Sequence, residues 1–177
     1  GGCMGTTGPN SLNPVTNQVY GLSFPEVSIK DMVAIQIKLI NSMGIDKLFC
    51  VVGGSMGGMQ VLEWGVNYSD RVRLLIPIAT SYRHTAQNIA FHEAGRQAIK
   101  ADPNWSEGNY IKNKNFPKKG LAAARSIAHI TYMSENHLET KFGRAKNEKP
   151  LSQIFDGSFE VENYLQYQGI SFVERFD

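Results

Sequence analysis

A serine set among glycines, in the stretch Gly53-Gly54-Ser55-Met56-Gly57, is the strongest chemical signal in the sequence. It matches G-x-S-x-G, the pattern of a strand that turns sharply into a helix and lifts its serine clear of the sheet. The residues two before and two after the serine approach each other there, so we expect Gly53 and Gly57 to prevent a clash. The Met56 N–H, at the helix start, can donate to an oxyanion. The pattern therefore predicts Ser55 as a nucleophile; the alternative is a glycine-rich turn with an idle serine.

A serine nucleophile needs a base, and the base needs an orienting acid. The chain has four histidines: His84, His92, His129 and His137. In proteins with this motif the acid and then the histidine follow the serine after further strands, and none of the four has that context. We expect the base and the acid to lie outside this chain, and His129, in a helical apolar stretch, to be a packed residue.

Arg125 and Tyr132 are a second pair of polar residues with a chemically useful spacing. They are seven residues apart, which is two helical turns, so they share one face of a helix. Small and apolar residues lie between them, and an arginine in such a place could hold a substrate carboxylate. From spacing alone we favour the alternative, a surface arginine beside a half-buried tyrosine.

Composition excludes several function classes. The chain has 177 residues with 42% hydrophobic residues and a net charge of +2, and its basic residues are scattered rather than clustered. This argues against nucleic-acid binding, and no apolar run approaches the roughly 18 residues of a membrane span. Cys3 and Cys50 form no disulfide framework, so a reducing, cytoplasmic location is expected. Cys3, in a glycine-rich loop, is predicted to be a structural thiol and Cys50 a core residue.

The elements that must position Ser55 lie between residues 28 and 80. Ser28 and Asp31 predict a capping box for a helix that ends near Gly44. A strand, a helix and a second strand are then predicted over residues 47–53, 56–68 and 72–80. The first strand is a continuous apolar run, as expected for burial on both faces of a parallel sheet. This order predicts an α/β fold with a doubly wound, mostly parallel sheet.

The rest of the chain has a different pattern. Helices are predicted over residues 85–100, 121–135, 136–142 and 159–176, and no clear strand accompanies them. Residues 1–25 are rich in Gly, Pro, Asn, Thr and Ser and predict an ordered loop. We therefore divide the chain into a core part carrying the Ser55 corner, residues 1–80, and an incomplete helical region, residues 81–177.

Motifs along nearly the whole chain, in order and spacing, resemble those of the homoserine O-acetyltransferase family. They include GGCMGTTGP, GGSMGGMQVLEW, AQNIAF, DPNW, GLAAAR..AHITYMSE and YLQYQG..FVERFD. The resemblance implies an α/β-hydrolase fold whose helical lid is inserted near residue 80. Met4 departs from the family pattern, in which a more polar residue is expected.

The resemblance also implies a reaction. Ser55 would take an acetyl group from acetyl-CoA, with the Met56 N–H in the oxyanion hole, and pass it to the γ-hydroxyl of L-homoserine for methionine biosynthesis. Arg125 and Tyr132 would contact the amino-acid substrate, which reverses the preference from spacing. The family implies a homodimer without metal or permanently bound cofactor. Because its catalytic aspartate and histidine come well after Asp177, we expect this chain to be an internal piece, inactive alone.

Other functions stay open at this point. The same scaffold could carry a succinyl donor or a serine acceptor, and an esterase of the same fold would let water deacylate Ser55. A helical clamp for an amino acid favours the transferase, because an esterase does not need one. A non-catalytic module that associates through its helical half is the alternative from another class.

Overall fold

A computed structural model describes residues 5–146 and 159–176 of the chain. The chain separates into two units, which we call the sheet unit, Pro25–Thr85, and the helical unit, Gly1–Phe24 together with Ala86–Asp177. The predicted sites Cys3 and Met4 lie outside the described residues. The functional division at residue 80 stays a prediction.

The sheet unit alternates helices and strands in the predicted order. Its elements are α1 Ile29–Ser42, β1 Leu48–Gly54, α2 Met56–Asn67, a 3-10 helix at Ser69–Arg71, and β2 Val72–Ile78. The two strands pair in parallel, with Cys50 opposite Leu74 and Gly54 opposite Ile78. The prediction of parallel strands joined by a helix is thus confirmed.

The capping signals of α1 are formed as predicted. The Ser28 hydroxyl accepts from the Asp31 N–H at 3.2 Å, and the Ser28 N–H donates to the Asp31 carboxylate at 2.8 Å. At the other end, Gly44 adopts a φ of +70°, which a glycine tolerates without strain. The sequence therefore determines both ends of this helix locally.

The core of the sheet unit lies between α1 and α2. Val33, Ile40 and Trp64 are buried there, and Trp64 is only 1% exposed. The Trp64 indole N–H donates to the Gln36 side-chain oxygen at 2.8 Å, and the Gln36 amide donates to Gln60 at 2.6 Å. These bonds satisfy the polar atoms that accompany the buried indole and fix the two helices against each other.

The prediction that the first strand is buried on both faces is wrong for the described residues. Phe49 of β1 is 71% exposed, Val52 is also exposed, and most of β2 is exposed. The helix α2 packs against both strands, and the described residues of this unit place no comparable cover over the remaining apolar surface. Half-covered strands of this kind leave apolar side chains in solvent.

The helical unit contains the other described elements. They are a 3-10 helix at Gly21–Ser23, α3 Ala86–Ala101, a 3-10 helix at Pro103–Gly108, α4 Tyr110–Asn113, α5 Lys118–Thr131, α6 Glu135–Lys141 and α7 Glu160–Val173. The helix α5 packs against both α3 and α7. Among the described residues, no helix combines the length and the hydropathy needed to span a membrane.

Two glycines let these helices approach closely. A Cβ at Gly120 of α5 would lie 2.6 Å from the Ala98 carbonyl oxygen of α3. A Cβ at Gly169 of α7 would lie 2.9 Å from the Ala122 carbonyl oxygen of α5. Both distances are shorter than real contacts allow, so the packing of α5 depends on these glycines.

The predicted ends of α5 differ from the observed ones. The helix was expected over residues 121–135 but spans Lys118–Thr131. Ser134 leaves the helical path and its hydroxyl accepts from the His137 N–H at 3.1 Å, which starts α6. A serine cap inside an apolar periodic pattern ended the helix early, and the periodicity hid it.

Candidate active site

Ser55 lies at the corner between β1 and α2, as the glycine pattern predicts. Its φ of 55° and ψ of −120° form a backbone conformation that residues with a side chain rarely adopt. Such a conformation costs on the order of 1–3 kcal/mol and persists only where the surroundings impose it. The side chain is exposed. The corner therefore presents a serine at the cost of local strain.

Both backbone groups of Ser55 are held by hydrogen bonds. Its N–H donates to the Ile78 carbonyl at 3.0 Å, which extends the pairing of β1 with β2. Its carbonyl oxygen accepts from the Gly58 N–H at 2.9 Å and the Met59 N–H at 3.2 Å, within the first turn of α2. The Thr80 hydroxyl donates to the same oxygen at 2.7 Å. These bonds fix the corner in its strained form.

The Ser55 hydroxyl does not cap the helix that it precedes. Ser28 and Ser134, the N-cap serines of α1 and α6, each accept a backbone N–H through the side chain, whereas Ser55 makes no such bond. A serine at an N-cap ordinarily stabilises a helix in this way. Ser55 forgoes that bond, and within the described sheet unit its hydroxyl has no hydrogen-bond partner. This favours a reactive serine over an idle one.

The glycines around Ser55 have different roles from those predicted. A Cβ at Gly53 would lie 2.4 Å from the Gly57 carbonyl oxygen, so the expected close approach is confirmed at Gly53. At Gly57 the prediction is wrong, because a Cβ there would meet nothing within 4 Å beyond its chain neighbours and its own helix backbone. The sequence analysis missed Gly58, whose Cβ would lie 2.6 Å from the Thr80 side chain. The missing side chain at Gly58, rather than the one at Gly57, leaves room for the Thr80 side chain after β2.

The Met56 amide is available for an oxyanion. Met56 is the first residue of α2, and the first N–H groups of a helix have no intrahelical acceptor. The N–H groups of Gly58 and Met59 instead bond to Ser55. The helix dipole adds positive potential at this end. The position of the Met56 N–H therefore suits the predicted role in the oxyanion hole.

The structure brings Arg125 and Tyr132 together in the helical unit. Nη1 of Arg125 lies 3.4 Å from the Tyr132 hydroxyl, a long hydrogen bond, and the tyrosine is 64% exposed. The Arg125 guanidinium also lies over the Phe172 ring of α7. Its Nε is buried without a partner among the described residues. The shared face is confirmed, whereas contact with a substrate stays a prediction.

His129 is a packed residue, as expected. It is 9% exposed, and its Nδ1 lies 2.9 Å from the Tyr164 hydroxyl. Its ring also meets Tyr132 edge to face, with the centroids 5.3 Å apart. Burial, and then the charge of Arg125, lower the pKa of His129 below its ordinary value. This shift favours the neutral form of the imidazole, whose ring packs against that of Tyr132.

The remaining predicted residues lie on other elements of the two units. His92 and His137 are exposed on α3 and α6. His84 lines an open cavity of about 430 Å³ in the sheet unit together with Met59 and Tyr82. Cys50 is a free, half-buried thiol in β1. Among the described residues, no group of three metal-ligating side chains comes together.

Comparison with known proteins decides the fold family. Residues 2–177 match the family model described as the alpha/beta hydrolase fold. The chain belongs to the α/β-hydrolase fold family. The predicted fold class is confirmed, while the helical lid stays a prediction.

This α/β-hydrolase is similar over its whole length to homoserine O-acetyltransferases. It is 58% identical to the homoserine O-acetyltransferase of Rhodopseudomonas palustris strain HaA2, over all of this chain and 44% of that protein. The resemblance noted from the motifs is thereby confirmed. The chain spans less than half the length of the curated relatives it matches.

Two solved structures are similar to this α/β-hydrolase. Esterase E22 has a TM-score of 0.80 at 32% identity, over 97% of this chain and 47% of that one. A homoserine O-acetyltransferase from Bacillus anthracis has a TM-score of 0.74 at 27% identity, over 97% of this chain and 50% of that one. Transfer and hydrolysis thus both occur among the names of proteins with this fold.

Proposed function

We propose that the protein transfers an acetyl group from acetyl-CoA to the γ-hydroxyl of L-homoserine through an acetyl ester on Ser55. The observation that carries the proposal is the exposed, strained Ser55 between β1 and α2. The 58% sequence identity to a homoserine O-acetyltransferase supports the assignment of this reaction. The reaction belongs to methionine biosynthesis in a cytoplasmic protein.

The first half-reaction forms the acyl-enzyme. Ser55 Oγ attacks the thioester carbonyl while its proton passes to a histidine that we place outside this chain, as we place the aspartate orienting it. The Met56 N–H donates to the oxyanion, where preorganised donors lower the barrier most. The C–S bond then breaks, and the CoA thiolate leaves with the proton returned by the histidine.

The second half-reaction restores the serine. The γ-hydroxyl of homoserine gives its proton to the same base and attacks the acetyl-Ser55 carbonyl, the bond to Ser55 Oγ breaks, and Oγ takes the proton. Arg125 would hold the substrate carboxylate, and the Tyr132 hydroxyl would donate a hydrogen bond to it. We assign residues 81–177 to a helical lid, in a protein that forms a homodimer.

Hydrolysis is the second candidate, and the similarity to esterase E22 favours it. In that reaction water replaces homoserine as the acceptor, and the Arg125–Tyr132 pair has no substrate to hold. A succinyl donor or a serine acceptor would change only the pocket contacts and leave the role of Ser55 intact.

Steady-state kinetics of the full-length protein test the proposal. Initial rates at varied acetyl-CoA and L-homoserine should give parallel double-reciprocal lines, as a ping-pong reaction requires, and O-acetylhomoserine should be the product. Succinyl-CoA, L-serine and water serve as competing donor and acceptors. Release of acetate at the same rate with and without homoserine would establish the esterase instead.

A further inference from the structure

Residues at and just after the end of β2 form hydrogen bonds with the backbone of Ser55. The Ile78 carbonyl accepts the Ser55 N–H at 3.0 Å, and two residues later the Thr80 hydroxyl donates to the Ser55 carbonyl at 2.7 Å. Between them, Ala79 has a φ of 46°, a left-handed conformation that is uncommon for a residue with a side chain. This turn places the Thr80 hydroxyl beside Ser55.

The Ser55 carbonyl and the Met56 N–H belong to one peptide group. Because that group is planar and trans, its N–H points opposite to its carbonyl. A hydrogen bond that fixes the direction of the carbonyl therefore fixes the direction of the N–H. A hydrogen bond accepted by a peptide oxygen also polarises the peptide, which strengthens the N–H as a donor.

We propose that Thr80 is a positioning residue for the oxyanion hole, acting through the Ser55 carbonyl on the Met56 N–H. The inference rests on the proposed role of Ser55 as nucleophile but not on the identity of the acceptor. It also gives a function to the uncommon conformation of Ala79, the residue that directly precedes Thr80.

The packing around Thr80 determines which variants isolate its hydroxyl. A Cβ at Gly58 would lie 2.6 Å from both Cβ and Cγ2 of Thr80, so the side chain sits directly against the start of α2. Thr80→Val keeps the branched shape and removes the hydroxyl. Thr80→Ser and Thr80→Ala both lose the methyl group and differ from each other in the hydroxyl. Two matched pairs thus separate hydrogen bonding from packing.

The test measures acylation of Ser55 in the full-length protein with p-nitrophenyl acetate, without homoserine. We expect Thr80→Val to acylate about ten- to thirtyfold more slowly than wild type at saturating ester, with little change in the half-saturating concentration. Removing an oxyanion donor outright costs about 100- to 1000-fold, and misaligning one costs less. Thr80→Ala should fall below Thr80→Ser by a similar factor. Affinity for phenylboronic acid, whose adduct with Ser55 places an oxygen in the oxyanion hole, should fall in parallel.

The outcomes separate the two proposals. Equal acylation rates for wild type and Thr80→Val, or for Thr80→Ser and Thr80→Ala, would overturn the role of the hydroxyl. A slower Thr80→Val with unchanged affinity for phenylboronic acid would overturn the route through the oxyanion hole. A wild-type protein that p-nitrophenyl acetate does not acylate on Ser55 would contradict the proposed nucleophile itself. If either valine or alanine lowers the yield of folded protein, the other pair still decides.

Discussion

The Arg125 guanidinium lies over the ring of Phe172, with Cζ 4.5 Å from the ring centroid. The arginine extends from α5 and the phenylalanine from α7, so the contact spans the interface of the two helices. Tyr132 approaches the same guanidinium, with Nη1 3.4 Å from its hydroxyl. Cation–π contacts and one long hydrogen bond hold the guanidinium without neutralising it, because no carboxylate pairs with it among the described residues. The positive charge of Arg125 is therefore not balanced by a described carboxylate, which is compatible with the proposed clamp.

Arg125→Lys should raise the KM for L-homoserine by about tenfold or more. Lysine keeps the charge but loses the planar fork that binds a carboxylate with two parallel bonds and stacks on Phe172. Acetylation of Ser55 by acetyl-CoA should stay within about twofold of wild type, because the donor half-reaction does not use the clamp. Rates at varied homoserine, and acetylation without it, measure the two effects separately.

Tyr132→Phe is the milder test of the same clamp. It removes one neutral hydroxyl, worth about 1 kcal/mol, so the KM for homoserine should rise about fivefold. Equal losses in the donor and acceptor half-reactions for both variants would show that the pair supports the fold and does not bind homoserine.

Gly53→Ala should destabilise the protein by about 1–3 kcal/mol, because its Cβ would lie 2.4 Å from the Gly57 carbonyl oxygen and the backbone must shift. Gly57→Ala is the matched control at the other glycine of the pattern. Its Cβ meets nothing within 4 Å beyond its chain neighbours and its own helix backbone, and alanine favours a helix start over glycine, so stability should hold or rise. Urea unfolding of both variants checks the difference. Equal losses would refute the asymmetry between Gly53 and Gly57.

The sequence predicted what depends on local signals. The Ser28–Asp31 capping box and the glycine at the end of α1 determine the helix ends through neighbouring residues alone. The corner at Ser55 is likewise determined by adjacent residues. The Thr80 hydroxyl bond was not predictable, since it joins residues 25 positions apart and requires a left-handed Ala79. An alanine in the sequence does not indicate a left-handed conformation, which here arises from the structure at the end of β2.

The aromatic side chains of α7 that pack against α5 show a second limit of prediction from the sequence. Spacing along one helix placed Arg125 and Tyr132 on one face, but Phe172 and Tyr164 come from α7. Periodicity identifies a face without identifying what covers it. The exposed apolar side chains of β1 and β2 illustrate the same point, because their sequence is suited to a sheet with more cover than the described residues of the sheet unit provide.

His129 should make stability depend on pH near neutrality. Burial and the nearby Arg125 lower its pKa in the folded protein, so the unfolded chain takes up a proton first as pH falls. The contribution of His129 to stability is therefore complete above about pH 6.5, the ordinary pKa of histidine. It decreases as pH falls from there through the pKa of the folded protein. We expect the free energy of unfolding to fall more between pH 7.5 and 5.5 for wild type than for His129→Gln. His137→Gln, at an exposed position, should follow wild type. Parallel curves for wild type and His129→Gln would contradict this account.

Asp102 should stabilise the helical unit through backbone bonds. One carboxylate oxygen accepts from the Asn104 N–H at 3.0 Å and the other from the Gly120 N–H at 2.8 Å, at the start of α5. Burial alone would raise the pKa of Asp102, but hydrogen bonds from the backbone of Gly120, Asn104 and Lys119 outweigh it and lower the pKa below 3.8. This stabilisation is present above pH 3.8 and is lost as pH falls through the folded pKa.

Asp102→Asn should accordingly lower the free energy of unfolding by about 1–3 kcal/mol at pH 7. An amide has one acceptor oxygen, so one buried N–H loses its partner and faces an NH₂ group. Asp70→Asn, at an exposed site, should change stability by less than about 0.5 kcal/mol. Chemical denaturation of both variants makes the comparison. Similar small changes in both would mean that the carboxylate does not hold α5.

The central claim is that Ser55 carries an acetyl group which homoserine removes. The most direct measurement is the intact mass of the full-length protein after mixing with acetyl-CoA, before and after addition of L-homoserine, with Ser55→Ala as control. The account predicts an acetyl adduct that localises to Ser55, persists in water, is discharged by homoserine and is absent from the variant. An adduct on another residue, or one lost equally fast with and without homoserine, would contradict it.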